Sequence, residues 1–317
     1  MSGDGGSNCL TPPAPSPLVG WATVSGTTTG GVAGPTVTVT TMSALQSAVS
    51  GMNAQVVQVT GTIDTGTGGL NVGSNKTIVG LCGAVIHGHI QMTGSVNVIV
   101  RNLQIVGFNC AAPDTTSCSS GLDAVTVERG DHHLWFDHDD ISDGTDGNLD
   151  ITHASDYVTI SWTKFHYSGK RANGHQFSDL VGHSDNNAED VGKLRVTFHH
   201  DWWADNVDQR QPRVRYGQVH LFNNLYTATG GLYAVGVGFD ANILAENNVF
   251  VGVNNPIDSA NTSPSAASSC HSTGNLYPGC TGTTADVGSN TFTPPYAYTL
   301  DPAASLQAAV TSGVGPQ

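Results

Sequence analysis

An internal period constrains this chain more than any other feature. Six short runs, 98–105, 133–141, 157–165, 194–203, 219–226 and 242–250, can be laid over one another, each ending in a large hydrophobe. Their last residues, Ile105, Ile141, Phe165, Trp203, Tyr226 and Phe250, are separated by 36, 24, 38, 23 and 24 residues. About two dozen residues of strand-like sequence make one coil of a parallel β-helix, whose stacked coils bury each other's inward side chains. The two longer steps then mark loops bulging from one face. Asn recurs near the run ends (Asn102, Asn223, Asn224, Asn247, Asn248), as expected where amides stack at equivalent turns and hydrogen-bond from coil to coil.

Composition supports the same class. The chain has 39 Gly but 4 Lys and 3 Glu, so the usual helix formers of a solvent face are nearly absent. Runs such as 36–40 (TVTVT) and 157–160 (YVTI), punctuated by Gly and Asn, read as strands joined by tight turns. The prediction is an all-β solenoid with loops forming a groove. Two patches break the pattern: 43–50, with Leu45, Ala48 and Val49 on one face, and 305–311, with Leu306, Ala309 and Val310. Both are predicted to be short helices capping the two ends of the stack. Residues 1–35 read as an extended lead-in and 258–288 as a disulfide-pinned surface loop. No boundary divides the chain, so 1–317 reads as one domain.

A formal net charge of −14 opposes binding to nucleic acid or an anionic membrane through bulk electrostatics. An anionic substrate therefore needs a local device. Nine of the 22 Asp fall between Asp123 and Asp156, a density of like charge that a cation would relieve. The six cysteines form no CxxC pair, which favours disulfides over zinc. The spacings of Cys110 with Cys118 and of Cys270 with Cys280 would close short loops, and Cys9 with Cys82 would then staple the N-terminal segment to the body, although the sequence does not fix the connectivity. An oxidising, extracellular location is expected; no charged start followed by an apolar stretch is seen, so a secretory signal would be either already removed or outside this sequence. No stretch is long enough to span a bilayer. The tripeptides at 75–77 and 261–263 match the N-glycosylation pattern.

Two segments carry chemistry. Asp123, in GLDAV at 121–125, and Asp146 and Asp150, in DGNLDI at 146–151, are set at strand ends of adjacent coils, where stacking brings them together. Calcium takes six to eight oxygens, so three carboxylates leave coordination open for a substrate carboxylate. Asp beside Gly and Asn also simply favours turns. In 209–215 (QRQPRVR), three of the seven arginines fall within six positions. The planar guanidinium fork suits carboxylates. The alternative is a salt-bridge belt to the Asp cluster.

LWFDH at 134–138, DGNLD at 146–150, and Arg210, Pro212 and Arg215 ahead of VHLFNNLY at 219–226 occur in an order that resembles the pectate lyase family, in the polysaccharide lyase superfamily of right-handed parallel β-helices. The resemblance runs from about residue 121 to about residue 250. It implies a calcium-dependent enzyme that cleaves polygalacturonate by β-elimination. By position it implies calcium ligands at Asp123, Asp146 and Asp150, the catalytic base at Arg210, and a grip on a substrate carboxylate at Arg215. Arg213 and Lys170 are further substrate-binding candidates, with Arg171 beside Lys170 in the loop that lengthens its coil. Arginine is normally always protonated, so a base at Arg210 implies alkaline activity. The chain departs from the family at Gly121, where many relatives have another Asp, at Asp146, where Glu is common, and at Phe177, which falls where the family has a substrate-gripping Lys.

Other residues read as structural. His138, with Trp135 and Asp137, reads as a packed polar residue beside the site. Adjacent histidines (His132 with His133, His199 with His200) point to opposite faces of a strand, against joint metal ligation. Trp202 and Trp203 suit either a sugar groove or the coil's interior and flank. Competing functions are a pectin lyase acting on methyl-esterified substrate without calcium, which the three Asp oppose; a non-catalytic polysaccharide-binding β-helix, which Arg210 with the Asp set opposes; and a glycosidase, which needs paired carboxylates but no arginines. The expected working form is a monomer.

Overall fold

The computed structural model describes residues 9, 11–66, 68–108, 122–171 and 174–317. It is a right-handed parallel β-helix whose coils present three faces. The first face stacks Leu70–Val72, Ile90–Thr93, Val125–Glu128, Leu149–Ile151, Asp179–Val181, Arg213–Val214, Val235–Val237 and Ile257–Asp258. The second runs from Thr36–Val39 through Gln55–Asp64, Lys76–His87, Val96–Arg101, His132–Asp137, Asp156–Ser161, Val196–His199, Gln218–Phe222 and Asn242–Glu246 to Ser269–Thr273. The third carries Gln104–Val106, Asp140–Ser142, Lys164–His166, Trp202–Trp203, Leu225–Tyr226 and Val249–Phe250. Neighbouring strands are parallel and in register, as with Val125, Leu149 and Asp179, or Ile105, Ile141 and Phe165.

The period in the sequence is the period of the turns between the second and third faces. Asn102, His138, Trp162, His200, Asn223 and Asn247 follow the same steps of 36, 24, 38, 23 and 24, and all have positive φ between 49° and 58°. Because they occupy equivalent places, His138 stacks on Trp162 at 5.8 Å and Trp162 on His200 at 4.4 Å. The residue that follows each builds a hydrogen-bonded ladder. Asn224 Oδ1 accepts from Asp201 N–H, Asn248 Oδ1 from Asn224 N–H, and Asn275 Oδ1 from Asn248 N–H, at 2.8–2.9 Å. Asp201 Oδ1 accepts from Thr163 N–H and Asp139 Oδ1 from Leu103 N–H in the same manner. Inside the third face, Phe165, Trp203, Tyr226, Phe250 and Tyr277 stack one per coil at 4.1–5.5 Å.

Several expectations change. The helix Met42–Val49 does cover the N-terminal coils with Leu45, Ala48 and Val49. The helix Ala303–Gly313 is not an end cap. It lies on the third face, with Leu306 and Val310 against Leu225, Val249 and Trp202. Trp202 is thus on the flank and Trp203 in the interior. Segment 258–288 is not all surface loop, because Ser269–Thr273 adds a rung to the second face. The Cys9–Cys82 disulfide is present. Cys270 and Cys280 do not pair: Cys270 points into the core, while Cys280 Sγ donates to Phe250 O at 3.2 Å. Cys110, Cys118 and Gly121 lie outside the described residues. The adjacent histidines do meet, with Nδ1 atoms 2.7 Å apart in His132/His133 and 3.0 Å apart in His199/His200. His133 and His200 adopt positive φ, which breaks the strand's alternation. The two glycosylation tripeptides are engaged in structure, Asn75 with Asn97 and Asn261 with Asp258.

The termini cover the second face. Trp21 and Ala22 N–H donate to Thr197 and Thr159 hydroxyls, and Tyr296 and Tyr298 hydroxyls meet Thr197 and Glu246. With Ala303–Gly313 on the third face, these described segments lie away from the first face. Turns 143–148, 174–178 and 204–212 lead into the first-face strands Leu149–Ile151, Asp179–Val181 and Arg213–Val214 and form its entrance edge. No helix among the described residues is long and apolar enough to cross a membrane.

Candidate active site

On the first face the outward row runs Thr126, Asp150, Leu180, Arg213, Gly236 in strict register, while Leu149 and Asp179 point inward. Asp123 enters just before this row, and Asp123 and Asp150 therefore lie one coil apart on the entrance edge. Asp123 Oδ2 accepts from Thr126 Oγ1 at 3.0 Å, but Asp123 Oδ1 and Asp150 Oδ1 are both buried without a hydrogen-bond partner. A Cβ placed on Gly147 would stand 3.0 Å from each of these two oxygens. Glycine at 147 thus keeps open the point on which both converge.

Burial, with repulsion from Asp146, pushes the Asp123 carboxyl up to about 7. Burial, with repulsion from Asp123, raises Asp150 well above the usual range. Two buried carboxylate oxygens without hydrogen-bond partners, both close to Gly147, are oxygen donors that could hold a hard cation, and a divalent ion there would offset the repulsion. Asp146 is engaged otherwise. Its Oδ1 meets His175 Nε2, and that hydrogen bond holds its pKa below the ordinary value. Among the described residues no three His, Cys, Asp or Glu side chains close up as a ligand set, so the converging pair is Asp123 and Asp150.

Arg210 stands two coils beyond Asp150, at the same edge; its charge partly offsets the burial and repulsion that raise Asp123 and Asp150, and adds to the His175 hydrogen bond in lowering Asp146. Its backbone has φ 62°, a conformation costing a non-glycine residue about 1–3 kcal/mol. It is held by Asp179 N–H donating to Arg210 O at 2.7 Å and Gln211 N–H to Ala234 O at 2.8 Å. Six of the seven arginines have a hydrogen bond or ion pair at the guanidinium: Arg101 to Pro13 O, Arg129 to Glu128, Arg171 to three backbone carbonyls through Nη1 alone, Arg195 to Asp156, Arg213 to Thr262 O and Arg215 to Asp185. Among the described residues Arg210 has neither; its Cζ lies 4.2 Å from the Phe177 ring centroid. Among the described residues no ion pair joins Arg210, Arg213 or Arg215 to the Asp cluster at 123–156.

The other candidates divide. Arg215 binds Asp185 Oδ1 through Nε at 2.6 Å and the Gly182 and His183 carbonyls through Nη1, leaving Nη2 open. Arg213 faces outward beside both, its pKa lowered by burial and then by Arg215 and Arg210. Arg171 is structural, packing over Tyr167 while it ties together carbonyls of 143–145 and 175. Lys170 is exposed and lines a cleft of about 160 Å³ with Gln176, Asp208 and Gly230. Sequence reasoning missed His175, whose link to Asp146 needs the loop's path, and the arrangement of Phe177 under Arg210.

The sequence model of the family described as pectate lyase matches residues 10–316. Pectate lyase E of Dickeya chrysanthemi is 36% identical over 278 residues, covering 73% of this chain and 67% of that protein. Among solved structures, the thermostable pectate lyase PL 47 superposes with a TM-score of 0.75 at 25% identity, covering 94% of this chain and 96% of that one. A pectate lyase bound to hexasaccharide superposes with a TM-score of 0.73 at 25% identity and the same coverage. A match along nearly the whole length, on a fold that exposes one face with clustered Asp and an unpaired Arg, leads to one conclusion: the chain belongs to the pectate lyase family of enzymes.

Proposed function

We propose that this enzyme cleaves α-1,4-linked polygalacturonate by β-elimination, with calcium held by Asp123 and Asp150, Asp146 joining them, and with Arg210 as the base. The observation that carries the reading is Arg210: a guanidinium with no carboxylate or carbonyl partner, set at the edge where two unpartnered carboxylate oxygens converge. When bound, calcium supplies neutralisation of the uronate carboxylate, which acidifies the neighbouring C5 proton. Arg215, through its open Nη2, grips a carboxylate of the chain. With its guanidinium deprotonated at alkaline pH, Arg210 accepts the C5 proton, the C5–H electron pair becomes the C4=C5 double bond, and the C4–O4 bond breaks with its electron pair left on O4, which takes a proton from water. The product is an unsaturated oligogalacturonide. Lys170, at the cleft beside the site, contacts a uronate further along. The Cys9–Cys82 disulfide supports the reading of a secreted enzyme, expected to work as a monomer.

Arg210→Lys tests the assignment. Lysine keeps the charge but loses the planar fork, so turnover on polygalacturonate should collapse by about a hundredfold or more while KM changes by a few-fold at most. Turnover within a few-fold of the parent, with KM raised, would make Arg210 a binding residue and move the search for the base to Lys170 and Arg213.

A further inference from the structure

Arg210 is the one described arginine whose guanidinium has no polar anchor, although proton transfer demands a fixed direction. A long side chain with four rotatable bonds does not hold a direction unaided. What it rests on is a ring. Phe177 lies one coil before Gln209, bridged to it in parallel, and its ring centroid lies 4.2 Å from Cζ of the adjoining Arg210. Two hydrogen bonds fix the backbone that carries the ring, and one aromatic contact holds the ring itself. Tyr167 Oη donates to Phe177 O at 2.6 Å, Ser178 N–H donates to Gln209 O at 3.0 Å, and the His175 ring packs on Phe177 at 4.1 Å between centroids. Tyr167 is in turn fully buried.

We infer that Phe177 is a positioning residue for Arg210, its face setting the plane and aim of the guanidinium. The inference rests on the reading of Arg210 as proton acceptor. A planar guanidine group packs flat on an aromatic face whether or not it carries its last proton, so the ring fixes its plane while favouring the charged form far less than a carboxylate partner would. An ion pair would hold Arg210 protonated; an aliphatic side chain would leave its plane undefined. A sugar-binding role for the same ring predicts a different kinetic signature, because loss of stacking with a sugar raises KM, whereas loss of aim lowers kcat.

The test compares the parent with Phe177→Leu, Phe177→Tyr and Arg210→Lys on polygalacturonate at saturating calcium, recording kcat, KM and the half-saturating calcium concentration, with thermal midpoints as a control for folding. Phe177→Leu is expected to lower kcat about tenfold or more, with KM and half-saturating calcium within about threefold, and Phe177→Tyr, which keeps the face, to restore most of the rate. If the leucine variant melts well below the parent, Phe177→Met takes its place with the same expectations. A leucine or methionine variant with parental kcat overturns the inference, as does one that changes only KM. When Arg210→Lys is inactive and Phe177→Leu is not, the base assignment stands and the positioning role alone fails. If Arg210→Lys itself retains turnover, both readings fall.

Discussion

Asn224→Ala removes one rung of the turn ladder, and the structure sets the size of the loss. Asn224 is fully buried; its Oδ1 accepts from Asp201 N–H and its Nδ2 donates to Phe198 O, both at 2.9 Å. Asp201 and Phe198 are themselves fully buried, so truncation orphans one backbone donor and one acceptor where water does not reach. At about 1–3 kcal/mol for each unsatisfied buried group, the loss should be about 2–6 kcal/mol, a large share of the stability of a typical domain. Urea unfolding followed by circular dichroism should show a lower midpoint with unchanged slope, provided the solenoid unfolds as one cooperative unit. Asn224→Asp keeps the acceptor and, while protonated, the donor, so it should lose less than alanine in mild acid and approach it as the pH rises. An Asn224→Ala variant within about 0.5 kcal/mol of the parent, the range of an ordinary surface change, would refute the ladder's role.

Three further outcomes are expected. Asp201 stands in the same ladder with its Oδ2 buried and unpartnered, and burial raises its pKa well above the ordinary value. The folded state then keeps a proton that the unfolded chain loses above about pH 4, so stability drains as pH climbs toward the folded pKa; Asp201→Asn should flatten that decline in a series of melts, and an unaltered pH dependence would show that the carboxyl is not a neutral rung. Asp150→Ala should raise the calcium concentration needed for activity, with part of the rate recovered by more calcium and the melting point unchanged in chelator; a parental calcium requirement would remove Asp150 from the site. Gly147→Ala should act on the same point from the other side, its methyl meeting both carboxylate oxygens at 3.0 Å, and isothermal titration should register weaker calcium binding.

Much of the solenoid could be read in advance because its period is written in large hydrophobes: Phe165, Trp203, Tyr226 and Phe250 recur where each coil needs an inward stack. The ladder was only half legible. Asn224 and Asn248 were in view, but Asp139, Thr163 and Asp201 fill the same rung with other chemistry, and Asn223 and Asn247 turned out to be left-handed turn residues whose amides reach Asp301 O. The helix Ala303–Gly313 showed an apolar face but not what it covers, since a stripe of Leu306 and Val310 fits a coil's end or its flank equally well. The Cys270–Cys280 pairing failed because loop length says nothing about which cysteine points into the core. At the site, the Asp and Arg positions were legible as motif residues. The partners that distinguish them were not: Asp185 on Arg215, His175 on Asp146 and Phe177 under Arg210 all come from loops whose course depends on the stack.

The central claim is elimination at this face, and the reaction product tests it most directly. Incubating the parent enzyme with polygalacturonate at alkaline pH, with calcium or with excess chelator, and following ultraviolet absorbance beside the release of reducing ends, separates elimination from hydrolysis. The account predicts that the absorbance of a 4,5-unsaturated uronate rises in step with new reducing ends when calcium is present and that both stop in chelator. Reducing ends without absorbance, or full activity in chelator, would contradict it.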